Sequence, residues 1–145
     1  MIILDANVLL YAYDSSSAKH SEARAWVEQV FSGEPAIGIP WQTISAFLRV
    51  ITNNNLPGDR FSIEQAAEII DQWLEQPNVR FLAPSGEHWT YFRRMLLEGQ
   101  ARGTLVTDAQ LAALTLEYGG QLHTTDRDFA RFPDLRWQNP LIRKG

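Results

Sequence analysis

Short apolar segments alternate with amphipathic segments along almost the whole chain, and this alternation limits the possible folds more than any other feature. Apolar strands separated by helices are typical of a parallel sheet that helices cover on both faces. We therefore expect an α/β fold of three layers, with a central mainly parallel sheet of four to five short strands. The predicted strands are Met1–Leu4, Ala36–Pro40, Val79–Ala83, Gln121–Thr125 and Leu135–Gln138.

Helices are predicted between these strands, because apolar residues recur there every three to four positions. One helix opens with Ser62 and has Gln65 three residues later, which is the pattern of a capping box. Thr107 and Gln110 repeat that pattern, and they predict that Thr107 caps a helix whose first residue is Asp108. The predicted helices are Ser21–Phe31, Trp41–Thr52, Ser62–Gln76, Glu87–Gln100 and Thr107–Tyr118.

Length and composition indicate an ordinary globular protein of one domain. The 145 residues are 45% hydrophobic and 21% charged, and none is cysteine. The lack of cysteine excludes disulfides and thiolate metal ligands, and it agrees with a cytoplasmic location. The amino-terminal apolar run does not resemble a signal peptide, and no apolar stretch approaches the length of a membrane span. Because the formal net charge is −4, any binding of nucleic acid must come from a local patch.

Three aspartates occupy positions where side chains of a parallel sheet converge. Asp5 ends the first predicted strand, Asp126 ends the fourth, and Asp108 lies in the first turn of a predicted helix. Each of them alone has a simpler interpretation as a turn residue or a helix cap. In an α/β sheet, however, ligands bind beyond the carboxyl ends of the strands, at the point where the strand order reverses. We therefore expect the three carboxylates to project toward one edge of the sheet.

Converging carboxylates repel one another unless a cation lies between them. Oxygen ligands of this kind suit Mg²⁺ or Mn²⁺, whereas His20, His88 and His123 lack the spacing of a zinc site. A divalent cation indicates phosphoryl chemistry, since it lowers the pKa of water and stabilises charge on a phosphate. The chain has no Walker-type glycine-rich loop, which argues against nucleotide hydrolysis by that route.

Four segments, in order, resemble the motifs of PIN-domain ribonucleases, and specifically the VapC toxins of bacterial and archaeal toxin–antitoxin pairs. The first motif is matched by LDANVLLYA, the second by TISAFLRVIT, the third by LVTDAQLAALTLEYG and the fourth by LHTTDRDFARFPDLRWQNP. The resemblance covers nearly the whole chain and implies a single PIN domain over residues 1–145. It supports Asp5, Asp108 and Asp126 as the catalytic and metal-binding residues.

The resemblance implies an endoribonuclease that depends on Mg²⁺ or Mn²⁺ and hydrolyses RNA phosphodiester bonds through a metal-activated water. It also implies a cognate VapB-type antitoxin that occupies the active site, and a homodimer. A phosphatase or nucleotidase of another α/β class is a weaker hypothesis, because the opening sequence D-A-N is not the D-x-D expected of such enzymes.

Several further residues are candidates for supporting roles near the three aspartates. Asn7 is predicted to hold Asp5, and Thr125 to orient Asp126 or a water molecule, although a turn residue and a strand residue are the ordinary interpretations. Asp128 is a candidate fourth carboxylate or a solvated residue of a short helix. Six arginines are candidates for contacts with RNA phosphates, and Arg127 and Arg131 are the strongest because they lie near Asp126. The other four are Arg49, Arg93, Arg94 and Arg102.

One position departs from the pattern of the family. The second acid of the family is usually a glutamate just before Phe-Leu-Arg, and this chain has Ala46 there, with no Asp or Glu elsewhere on that predicted helix. Three interpretations remain open: Asp128 makes up the shortfall, the chain is inactivated, or its metal affinity is weaker. The alternative function is therefore a catalytically weak PIN-fold module that binds RNA or an antitoxin without cutting.

Overall fold

A parallel β-sheet of five short strands forms the centre of the computed structural model, which describes residues 1–142. The strands are β1 (Ile2–Leu4), β2 (Ile37–Pro40), β3 (Val79–Leu82), β4 (Gln121–His123) and β5 (Trp137–Gln138). Their order across the sheet is β3-β2-β1-β4-β5, and all neighbouring pairs are parallel. Each strand lies within a segment that the sequence predicts to be a strand, so the predicted α/β class is confirmed.

Six α-helices and one 3₁₀-helix connect these strands within residues 1–142. They are α1 (Ala6–Tyr13), α2 (His20–Phe31), α3 (Trp41–Ile51), α4 (Ile63–Glu75), α5 (His88–Glu98) and α6 (Leu105–Glu117), with the 3₁₀-helix at Arg127–Arg131. The predicted capping box at Ser62 and Gln65 is confirmed, with both reciprocal hydrogen bonds present. None of these helices is long and apolar enough to cross a membrane.

Helices cover both faces of the sheet, because successive side chains of a strand point to opposite sides. Leu4 of β1 packs into a core with residues of α1, α2, α3 and α4. Ile3, its neighbour, packs into a second core with residues of α5, α6 and the 3₁₀-helix. The predicted three-layer architecture follows from this division.

Helix α6 begins earlier than the sequence predicts. Its first residue is Leu105 rather than Asp108, and neither Thr104 at the cap position nor Thr107 caps it through a side chain. The chain turns at Gly103, which has a φ of +63°, and the N–H of Leu105 already donates to the carbonyl of Arg102 at 3.2 Å. The prediction of a capping box at Thr107 is therefore wrong, and Asp108 is the fourth residue of the helix.

A buried carboxylate fixes α6 against the start of α5. The side chain of Glu117 is 1% exposed, and its Oε2 lies 2.6 Å from Nδ1 of His88. Its Oε1 accepts hydrogen bonds from the N–H and the hydroxyl of Ser85, at 3.0 and 2.7 Å. Gln110 contacts the other ring nitrogen of His88. This network orients the helix that carries Asp108.

The strand order places one switch point between β1 and β4. The chain runs outward from β1 to β2 and β3, and it then returns to place β4 on the other side of β1. Ligands of open α/β sheets bind at such a point, beyond the carboxyl ends of the strands. In this chain the residues that follow β1 and β4 are Asp5 and the segment 124–126.

Candidate metal centre

Asp5 is the first residue after β1, and hydrogen bonds fix its carboxylate. Its N–H donates to the carbonyl of His123 in β4 at 3.1 Å. Its Oδ1 accepts from the N–H of Ala6 at 2.8 Å and so caps α1. Its Oδ2 accepts from the hydroxyl of Thr124 at 2.7 Å and, more weakly, from Nδ2 of Asn7 at 3.4 Å. The carboxylate therefore serves as a helix cap and also faces the switch point.

Thr124 joins the residues that follow β1 to those that follow β4. Its side chain is fully buried, and its hydroxyl also accepts from Nδ2 of Asn7 at 3.2 Å and from the N–H of Asp126 at 3.0 Å. Sequence reasoning points instead to Thr125, whose N–H donates to Oδ1 of Asn7 at 3.3 Å. The sequence HTTD offers both threonines, and because β4 ends two residues earlier than predicted, both lie beyond the strand.

Three aspartates form a compact group beside Asp5. Asp108, Asp126 and Asp128 each offer one carboxylate oxygen, and these oxygens lie within 4.8 Å of one another. Asp126 also caps the 3₁₀-helix, because its Oδ1 accepts from the N–H of Asp128 at 2.9 Å. Asp5 is not part of this group by distance. The structure therefore brings Asp108 and Asp126 together as expected, and it adds Asp128 to them.

Electrostatic coupling links Asp5 to the group of three. The pKa of Asp108 is raised from its ordinary 3.8 to about 6, chiefly by burial and additionally by the charges of Asp126, Asp5 and Asp128. Burial also raises the pKa of Asp5, and Asp126 adds to that effect. The carboxyls of Asp5 and Asp108 are therefore harder to ionise than ordinary aspartates, and a cation beside them would relieve this effect.

The first turn of α3 contacts both sides of this site. Nε2 of Gln42 donates to the carbonyl of Thr107, next to Asp108, at 3.2 Å, and Oε1 of Gln42 is buried with no hydrogen-bond partner in the described chain. The hydroxyl of Thr43 donates to the carbonyl of Leu4 at 2.9 Å. Ala46 lies one turn further along the helix and is half-buried. Gln42 precedes Ala46 by four residues and so lies on the same side of α3, but the sequence does not predict its contact with α6.

The two favoured arginines lie on the 3₁₀-helix at the edge of the carboxylates. Arg127 and Arg131 are exposed, and neither forms an ion pair with another residue of the described chain. Arg131 is close enough to Asp108 to lower the pKa of that carboxyl. Arg94, by contrast, is held by Asp134, which makes it a poorer candidate for a phosphate contact.

The donor set of the group suits a hard divalent cation. Every candidate ligand is a carboxylate oxygen, and no histidine belongs to the group. Oxygen ligands of this kind are typical of Mg²⁺ and Mn²⁺ sites, whereas zinc sites in proteins usually include nitrogen or sulfur. The raised pKa of Asp108 is a second indication, because crowded carboxylates are stabilised by a bound cation.

The chain is similar to known proteins of one family over almost its whole length. The family model for the PIN domain matches residues 2–135. Ribonuclease VapC33 of Mycobacterium tuberculosis is 36% identical over 141 residues, which cover 97% of this chain and 99% of that protein. The structure of VapBC2 from Rickettsia felis, bound to a DNA fragment from its promoter, superposes with a TM-score of 0.71 at 18% identity, covering 96% of this chain and 98% of that one. VapC20 of Mycobacterium tuberculosis, a toxin that cleaves the sarcin–ricin loop, superposes with a TM-score of 0.65 at 21% identity, covering 94% and 99%.

Proposed function

The chain belongs to the PIN-domain family, with VapC ribonucleases as its relatives, and we propose that it is a metal-dependent endoribonuclease that acts as the toxin of a VapBC-type toxin–antitoxin pair. The observation that carries this proposal is the group of carboxylates at the switch point between β1 and β4. Relatives that are named ribonucleases and match almost end to end support the reaction class.

Mg²⁺ or Mn²⁺ is the proposed cofactor, and Asp5, Asp108 and Asp126 are the residues that would hold it. Asp128 is a further carboxylate within reach of the same group. When bound, the cation supplies positive charge that lowers the pKa of water and stabilises the charge that develops on the phosphate and the leaving oxygen. The half-buried, hydrogen-bonded carboxylate of Asp5 and the raised pKa of Asp108 support a site that holds such charge.

The chain's own residues would arrange this site before RNA arrives. Thr124 and Asn7 fix the carboxylate of Asp5 in one orientation, so little reorganisation is needed when a ligand binds. Asp126 is fixed in turn by its N–H, which donates to Thr124, and by the 3₁₀-helix that it caps. Arg127 and Arg131 would attract the RNA phosphates on either side of the bond that is cut.

The proposed partners are a VapB-type antitoxin and a second copy of the chain, in the cytoplasm. Support for the antitoxin comes from a structural neighbour of this chain that is a toxin–antitoxin complex from Klebsiella pneumoniae. The homodimer rests on the family resemblance, and so does the assignment of residues 1–145 to one domain. Light scattering of the purified chain would show twice the 16.5 kDa of one copy if the dimer forms.

Replacing Asp5 by Asn tests the proposed function. We expect the parent protein to cleave RNA with Mg²⁺ or Mn²⁺ but not with EDTA, and the Asp5→Asn variant to lose this cleavage, because a carboxamide cannot supply the negative charge. Asp71→Asn, at an exposed position on α4, is the matched control and should cleave like the parent. Equal cleavage by Asp5→Asn and the parent would overturn the proposal.

A second candidate function is favoured by Ala46. The helix α3 carries no acidic residue, so the site lacks the glutamate that the family usually places there. The chain would then be a catalytically weak PIN-fold module that binds RNA or an antitoxin. A parent protein that binds RNA but does not cleave it with any divalent cation would favour this second function.

A further inference from the structure

A cavity of about 630 Å³ lies beside the carboxylates, between the end of α5, the start of α6 and the 3₁₀-helix. Leu96, Leu97 and Leu105 supply apolar walls, and the side chains of Arg102 and Arg131 also line it. A volume of this size is within the range of sites that hold small ligands, and an apolar wall with a few polar groups is their usual lining.

The cavity adjoins the carboxylates along two separate elements. On α6, Leu105 precedes Asp108 by three residues, a rise of about 4.5 Å along the helix. On the 3₁₀-helix, Arg131 follows Asp128 by three residues, a rise of about 6 Å. The effect of Arg131 on the pKa of Asp108 supports the same proximity. A ligand that contacts both the cavity and the carboxylates therefore needs to extend by only a short distance.

Two arginines line the cavity, and one of them, Arg131, also lies near enough to Asp108 to lower the pKa of that carboxyl. Arg102 and Arg131 are exposed, and neither pairs with a carboxylate among residues 1–142. Arg94, on the neighbouring helix, is paired with both Glu98 and Asp134. In a chain with a net charge of −4, two unpaired guanidinium groups at one cavity mark a local site for anionic groups.

The walls of the cavity are held in place by the backbone. Helix α5 ends in a Schellman motif, in which Gln100 has a φ of +47° and the N–H groups of Gln100 and Ala101 donate back to carbonyls of the last turn. Gly99 packs directly on Phe132, since a Cβ there would lie 2.5 Å from its ring. The end of α5 is therefore fixed against the 3₁₀-helix, and the cavity is formed before a ligand binds.

We propose that this cavity is a nucleobase subsite, which receives the base next to the phosphate that lies at the carboxylates. The apolar walls would contact the face of an unstacked base, and Arg102 and Arg131 would bind the phosphates that flank it. This inference rests on the proposed ribonuclease function and adds to it a site for one base of the RNA.

Binding measurements in EDTA test the subsite without cleavage of the RNA. Fluorescence anisotropy of the full chain would compare a labelled oligouridylate with an abasic ribose-phosphate oligomer of equal length and charge. The parent should bind the oligouridylate more tightly. Leu97→Ser should weaken binding of the oligouridylate about five-fold or more, while binding of the abasic oligomer stays unchanged, because only the base contacts the wall. Leu97 is 60% exposed, so the folded structure should tolerate this change.

The arginines should act on both oligomers alike. Arg102→Ala and Arg131→Ala should each weaken binding several-fold and reduce the slope of log affinity against log salt by about one. Arg136→Ala is the matched control, because Arg136 donates to the carbonyl of Gly119 at the amino ends of β4 and β5, away from the carboxylates. Leu74→Ser, at a residue that is 54% exposed on α4, is the control for Leu97.

The outcomes separate the subsite from the function on which it rests. Equal affinity of the parent for the two oligomers, or variants of the cavity that bind like their controls, would overturn the subsite. If the parent nevertheless cleaves RNA with Mg²⁺, the proposed function stands without it. A parent that neither binds nor cleaves RNA would overturn both.

Discussion

Thr124 has the most connected hydroxyl of the site. A hydroxyl offers one donor and two acceptor positions, and here all three are used. It donates to Asp5, and it accepts from Asn7 and from the N–H of Asp126. One buried hydroxyl thus contacts both the carboxylate of Asp5 and the backbone of Asp126. It belongs to Thr124, whereas the sequence favours Thr125.

Replacing Thr124 by Val should disturb the site without changing its shape. We expect metal affinity and RNA cleavage to fall about 10- to 100-fold, the usual loss when a group that orients a ligand is removed. Mn²⁺ titration calorimetry and cleavage rates would measure both. Thr125→Val provides the comparison and should show the smaller loss. A larger loss for Thr125→Val would instead favour the role that the sequence predicts for Thr125.

The raised pKa of Asp108 predicts how stability depends on pH. A carboxyl whose pKa is higher in the folded chain than in the unfolded chain binds more protons when folded, so its contribution to stability is lost as the pH rises. For Asp108 this stability is lost as the pH rises from 3.8, the ordinary pKa of the group, to about 6, its pKa in the folded chain. The full shift would correspond to about 3 kcal/mol, and partial exposure of the side chain reduces this to about 1–2 kcal/mol.

Urea unfolding in EDTA checks this prediction against Asp108→Asn, which cannot ionise. Between about pH 4 and about pH 7 the free energy of unfolding of the parent should fall by about 1–2 kcal/mol relative to the variant. Asp71→Asn, at an exposed position, should follow the parent. A difference that stays constant with pH, or that grows in the opposite direction, would contradict the assigned environment of Asp108.

At the scale of elements, the strands and most helices are predictable because periodicity and caps are local properties. Helix α1 is the exception, because ANVLLYAY is almost entirely apolar and carries no helical period. The sequence places its cap, Asp5, at the end of the first strand, and the carboxylate accepts from the first N–H of the helix. The start of α6 is missed for another reason: the turn at Gly103 starts the helix before the residues that resemble its cap.

Helix α3 is the element on which the choice between the two candidate functions depends. Restoring the glutamate with Ala46→Glu should leave cleavage within a few-fold of the parent if Asp5, Asp108, Asp126 and Asp128 suffice as the acids of the site. Ser45→Glu is the matched control, because Ser45 is exposed and adjacent on the same helix. A large gain of cleavage in Ala46→Glu alone would identify the parent as the catalytically weak module.

At the scale of the molecule, the strand order explains why distant residues meet. Asp5 and Asp126 are separated by most of the chain, yet β1 and β4 are neighbours and parallel. Once the alternation of strands and helices indicates a parallel sheet, the rule for switch points predicts a site beyond the carboxyl ends of the strands. It does not predict the contacts of Gln42 and Thr124, since each joins elements that are far apart in the sequence. It also leaves the proximity of Asp128 undecided, because that depends on the 3₁₀-helix.

Anomalous diffraction data from crystals of the chain soaked in Mn²⁺ would show whether these carboxylates bind a metal. We expect an anomalous peak that is coordinated by Asp108 and Asp126 and lies on the side that faces Asp5. Data from Asp126→Asn crystals, treated in the same way, should lack the peak or show it much weakened. A peak away from these carboxylates, or no peak in crystals of a protein that cleaves RNA with Mn²⁺ in solution, would contradict it.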